Sequence, residues 1–115
     1  MKNDLKLRTK TFAHNCVKLT ETLPNSYLGT HIKGQLIRSA TSTAANYRAA
    51  CVAQSKPSFV AKLSIAFEEV DESGFWLEFI KDEKLIIEKA VEPLFKEANE
   101  LAAIFASSRK TARAK

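Results

Sequence analysis

The densest run of groups that could do chemistry is Glu68, Glu69, Asp71 and Glu72. Carboxylates on a bundle helix can hold two metal ions, but such centres use Glu-x-x-His pairs projecting inward from facing helices. No such pair occurs, and the only histidines are His14 and His31. Glu68 and Glu72 fall off the apolar stripe of their own segment. The run therefore reads as a solvated acidic face, or as one that pairs with Arg38, Arg48 or Lys62. His14 has no acid or cysteine at triad-like spacing. Phosphate loops, zinc spacings and nucleophile elbows are missing from the sequence. With 3 glycines in the chain, a loop-built active site has little to work with. No catalytic, cofactor-binding or metal residue is assigned, no small-molecule substrate is indicated, and an enzyme is not expected.

Basic groups form the second set. The net charge is +5, but it is unevenly spread. Residues 1–60 carry nine Lys and Arg against two acids, residues 61–100 five against eleven, and residues 101–115 four against none. Lysine and arginine can neutralise phosphates without reading sequence. Lys6, Arg8, Lys10, Arg109, Lys110, Arg113 and Lys115 are the candidate RNA or DNA contacts, and Lys33, Arg38, Arg48 and Lys56 add to the basic half. No helix-turn-helix, RNA-recognition or zinc-finger signature accompanies them. The same asymmetry could instead let one subunit attract another.

Four helices must position these groups. Leu5, Phe12, Cys16, Leu19 and Leu23 step by seven, four, three and four, which puts them on one face of a first helix over about residues 3–22. Pro24 ends it. A second helix is expected from Thr30, as N-cap, to Ala53, with core positions Ile32, Leu36, Ala40, Thr43, Tyr47 and Cys51. A third starts at Ser55 with Pro57 in its first turn. Its core stripe is Phe59, Leu63, Ala66, Val70, Ser73 or Gly74, Leu77 and Ile80. A fourth carries Ile87, Val91, Leu94, Ala98, Leu101, Phe105 and Ser108. Pro93 either kinks it or divides it in two. Residues 1–108 are expected to form the bundle domain, and the basic residues 109–115 a disordered tail. Four helices with short loops predict an all-α, antiparallel up-down-up-down four-helix bundle.

Two of these helices carry more than one core needs. On helix two, Arg38, Ser42, Ala45 and Ala49 form a small-residue face nearly opposite the core stripe. On helix three, Ile65, Phe75, Trp76 and Phe79 form a second apolar set where a monomer would be polar. Aromatic side chains are costly to expose and are enriched at interface centres. These eight residues are the candidate oligomer interface. Cys16 and Cys51 lack Cys-x-x-Cys spacing and read as reduced, buried thiols, with a disulfide as the lesser alternative. No secretory signal opens the sequence, and no run approaches the roughly 20 apolar residues of a membrane span. A cytoplasmic location is expected, with no membrane partner.

The run Gln35-Leu36-Ile37-Arg38-Ser39-Ala40-Thr41-Ser42, followed by Ala45-Asn46-Tyr47-Arg48-Ala49-Ala50-Cys51, resembles the four helix bundle proteins, also called the 23S rRNA intervening-sequence proteins. The hallmark is an Arg-Ser/Ala start, a small-residue stretch and an Ala-Asn pair before Ala-Glu-Gly or Arg-Ala-Ala. Trp76-Leu77-Glu78 and Leu94-Phe95-Lys96-Glu97-Ala98-Asn99-Glu100-Leu101 are similar too. The resemblance covers nearly the whole chain. It implies an up-down four-helix bundle and a ring-shaped homopentamer, as some members form. A related branch is basic and binds nucleic acid and a reverse transcriptase; this chain departs from it in its acidic third helix. No family catalytic residue carries over. The resulting expectation is a self-associating helical scaffold that binds RNA or DNA non-specifically, or else an oligomeric protein-interaction adaptor without nucleic acid.

Overall fold

The computed structural model describes residues 2–115, with side chains described from Asp4 onward. Four helices follow one another: α1 (Lys2–Thr20), α2 (Tyr27–Cys51), α3 (Lys56–Asp82) and α4 (Glu88–Ala114). No strand occurs among the described residues. Each helix packs on its sequence neighbours, and α1 also meets α4, which closes the bundle. Its dimensions are 47 × 20 × 19 Å.

The core follows the periodicity. Phe12, Cys16 and Leu19 of α1 meet Ile32, Leu36, Ala40 and Tyr47 of α2. Leu63, Ala66, Val70, Leu77 and Ile80 of α3, with Val91, Ala98, Leu101 and Phe105 of α4, complete it. Tyr47 stacks on Phe105 with centroids 5.6 Å apart. At about 25 cal/mol per Å² of apolar surface, burying a leucine or phenylalanine here is worth about 1.5–3 kcal/mol each. Burial pushes the Cys16 thiol up to about 12, so it acts as an inert hydrophobe. Cys51 is only partly buried, and both cysteines are free thiols.

The helix ends differ from expectation in three places. First, α2 begins at Tyr27 with Ser26, not Thr30, as its N-cap. The Ser26 hydroxyl accepts from the Gly29 amide at 3.0 Å, and the Ser26 carbonyl accepts from Thr30 N–H at 2.9 Å. Gly29 lies inside the helix, and the position admits only glycine because a Cβ there would collide with the Pro24 carbonyl oxygen. Second, Ile87 is 71% exposed and not on the core stripe. It is the N-cap of α4, with extended backbone (φ −55°, ψ 131°), and this swings it outward while Leu85 and Ile86 pack inward. Third, α4 is one helix. Pro93 is its sixth residue and forgoes only the bond that an N–H there would make to the Lys89 carbonyl. The helix then runs to Ala114, so most of the segment expected as a disordered tail is helical. Arg109 anchors it, lying 4.8 Å over the Phe67 ring and donating to Ser64 Oγ at 3.3 Å.

The end of α3 is a Schellman turn. Leu85 N–H reaches the Ile80 carbonyl and Lys84 N–H the Lys81 carbonyl, both at 3.1 Å. Lys84 occupies the left-handed position that glycine usually takes, with φ 55°. An L side chain there costs roughly 1–2 kcal/mol. Replacing Lys84 by Gly should raise stability by about 0.5–1 kcal/mol, read as a higher denaturant midpoint at unchanged slope. A lower midpoint would contradict this reading of the turn.

Candidate functional site

The candidate interface residues gather on the outer side of α2 and α3. The Ser26 cap sets where α2 starts, and the core stripe Ile32, Leu36, Ala40, Thr43 and Tyr47 sets how it is turned. Arg38 and Ser42 then flank α3. On α3 the stripe Leu63, Ala66, Val70 and Leu77 turns Glu69, Glu72 and Trp76 toward α2.

A polar network joins them. Arg38 Nη1 lies 3.0 Å from Glu69 Oε2, and Arg38 Nη2 bonds Glu72 Oε2. Ser42 Oγ donates to Glu69 Oε2 at 2.9 Å, and Asn46 Nδ2 donates to Ser42 Oγ at 3.0 Å. Trp76 Nε1 donates to Glu72 Oε2 at 3.1 Å. Its hydrogen bonds to the Glu69 and Glu72 carboxylates hold the Arg38 guanidinium above its ordinary range. Burial pulls Glu72 upward, but bonds from Arg38 and Trp76 outweigh it and keep its carboxyl below the usual glutamate range. Exposed pairs of this kind contribute little to stability, about 0–1 kcal/mol. Their role is geometric, since they fix where Trp76 lies.

Beside the network is an aromatic patch. Phe75 is 52% exposed and Ile65 36%. Phe75 meets Trp76 edge-on at 5.0 Å, Phe79 lies 5.9 Å from Phe75, and His31 meets Trp76 edge-on at 5.6 Å. Of the eight candidate interface residues, Arg38, Ser42, Phe75, Trp76 and Phe79 thus fall in one network and patch. Ala45 is exposed and Ala49 half-buried farther along α2. Asn46 and His31 belong to the same surface but had no role assigned from their spacing. The Arg38 pairing with the acidic run was one of the readings open in the sequence.

The candidate nucleic-acid residues are divided. Arg8 spends its charge on α4, donating through Nε and Nη2 to Glu97 at 2.7 Å each and through Nη2 to Glu100 at 2.7 Å. Arg109 is held by Phe67 and Ser64. Lys6 and Lys10 line a groove with Arg48 of α2. Lys110, Arg113 and Lys115 are exposed on α4 and beyond it, and Lys115 borders an open cleft of about 620 Å³ with Lys56 and Phe59. Among the described residues, no three His, Cys, Asp or Glu side chains gather as metal ligands. No helix among them is long and apolar enough to cross a membrane.

Glu72 supplies a pH test. Its native carboxyl is held low, so it stabilises the fold fully above the ordinary glutamate value of about 4.3. That contribution is lost as pH falls through the lower native value. The stability of the wild type should therefore fall more steeply below about pH 5 than that of Glu72→Gln, as followed by denaturant midpoints. Parallel acid limbs would show that Glu72 is not held by Arg38 and Trp76 in solution.

This arrangement of four helices recurs in known proteins. A crystal structure of a protein of unknown function from the S23 ribosomal protein family of Bacteroides thetaiotaomicron superimposes with a TM-score of 0.86. It is 33% identical, and the match covers 96% of this chain and 99% of that one. No curated protein matches the chain. Neither the family nor this relative carries an enzymatic description. The family model for the 23S rRNA-intervening sequence protein matches residues 1–107, and the chain belongs to that family.

Proposed function

We propose that the chain is a non-enzymatic, self-associating scaffold that works in the cytoplasm. In this reading it is an antiparallel up-down-up-down bundle whose copies assemble into a ring-shaped homopentamer through the outer faces of α2 and α3. The contact pattern supports the helix order: partners climb on one helix as they descend on the next, as in His31 with Trp76, then Ser42 with Glu69. The same holds for Lys81 with Glu92 and Ser64 with Arg109.

The observation that carries self-association is the uncovered aromatic patch around Phe75. A large apolar ring half open to water on a helix with a complete core is what an interface leaves when its partner is removed. The alternative, an adaptor for a different protein without nucleic acid, draws on the same patch. Light scattering at tens of micromolar decides: the assembly reading expects a particle several times the 12.8 kDa chain mass. A monomer at that concentration would sink it.

A nucleic-acid role has narrower support than the sequence offered, because Arg8 and Arg109 are engaged within the chain. It rests on Lys110, Arg113 and Lys115, which no described acid bridges. Repeated around a ring, they would sum into a positive rim. Binding would be sequence-blind, weak and steeply salt-dependent. Truncation after Ser108 should weaken a gel shift with mixed RNA and DNA several-fold, and no complex even at low salt would remove this role.

A further inference from the structure

Two surfaces of the chain carry unpaired charge of opposite sign next to exposed apolar groups, three cations on one and Glu68 on the other. The first is the groove between α1 and α2, of about 340 Å³, lined by Lys6, Leu7, Lys10, Ala44, Ala45 and Arg48. Leu7 is 68% exposed. No ion pair among the described residues engages Lys6, Lys10 or Arg48. The second is the outermost stripe of α3. Helical spacing puts Ala61, Ile65, Glu68, Phe75 and Phe79 on the side away from Leu63, Ala66 and Leu77, with Glu72 at its edge and bridged to Arg38. Glu68 is exposed and makes no ion pair among the described residues.

We propose that copies of the chain pair head to tail, with the outer α3 stripe of one copy seated in the α1–α2 groove of the next. This rests on the self-association proposed above and names the two surfaces that meet. Complementarity runs in both size and charge. The alanine floor of the groove, beside Leu7, takes the Phe75 ring. Glu68 lies seven residues, or about 10.5 Å, along the helix from Phe75. In that pose Glu68 faces the basic rim formed by Lys6, Lys10 and Arg48. The symmetric alternatives are disfavoured by the same charges. Stripe on stripe would bring Glu68 near its own copy, and groove on groove would oppose three cations to three. Like-charge contacts of this kind repel and select against the wrong partner. Because the two surfaces differ, each copy keeps one free after pairing. Assembly therefore continues until a ring closes, or without limit as a filament.

The test compares particle mass by light scattering for the wild type, a groove variant (Lys10→Glu with Arg48→Glu) and a stripe variant (Glu68→Lys with Phe75→Lys). Circular dichroism confirms that each is folded. All four sites are exposed, and Arg48→Ala replaces the double groove variant if that one does not fold. The wild type is expected to assemble, and each variant alone to be monomeric. A 1:1 mixture should recover at least paired mass, because it unites one intact stripe with one intact groove. If the wild type assembles and the groove variant assembles equally, the pairing is wrong while self-association stands. Two monomeric variants that stay monomeric when mixed also overturn it. A monomeric wild type removes both readings. If that monomer shifts labelled RNA through Lys10 and Arg48, the groove is a phosphate site instead.

Discussion

Close approach of α2 to α3 is the constraint on which the rest of the structure depends. The hydroxyls of Ser39 and Ser73 lie 2.9 Å apart, both fully buried. Only small side chains permit this, and the buried Ala40, Thr43 and Ala66 continue the theme. A buried hydroxyl is costly unless bonded. These two satisfy each other, and Ser73 also lies 3.0 Å from the Glu69 carbonyl of its own helix. With the helix axes so close, Arg38 spans the outer edge of the seam and reaches two carboxylates at once. Trp76 is held by one of them. The aromatic patch is therefore oriented by contacts that begin in the core.

Other ion pairs do comparable work at the remaining seams. Arg8 clamps α1 to α4, the adjacent helices in least contact, through a bidentate bond to Glu97. Lys81 bridges Glu92 and lies 4.6 Å over the Phe95 ring, joining the ends of α3 and α4. These bonds absorb several acids of residues 61–100 and two basic groups that looked free in sequence. Among the charges these bonds leave unpaired, cations line the α1–α2 groove and Glu68 stands on the far side of α3. The charge asymmetry of the sequence is thus partly structural glue and partly a surface difference between two faces.

Much of this was legible in the residues. Apolar spacing placed the four helices and nearly every core position, because a side chain at the wrong angle on a helix cannot reach the core. The errors came where one residue has two uses. Gly29 reads as a loop residue, yet it lies in the first turn of α2 and is glycine because the Pro24 carbonyl leaves no room for a Cβ. Ile87 fits a heptad, yet as an N-cap its backbone is extended and its side chain turns out. Pro93 left a kink or a break open; so early in α4 it costs one bond, and the helix continues. The basic cluster is divided for another reason. Sequence shows where a charge is but not which long side chain folds back, as Arg8 and Arg109 do.

Trp76 is the only tryptophan in the chain and lies 5.0 Å from Phe75, so its emission reports directly on whether the α3 face is covered. The decisive measurement is that emission, with iodide quenching, across a dilution series from tens of micromolar to tens of nanomolar. If copies cover the patch, emission shifts to the red and quenching rises as the protein is diluted, in step with a loss of particle mass. Emission and quenching that do not change over the whole range, in a protein that scatters as a monomer, would contradict the account.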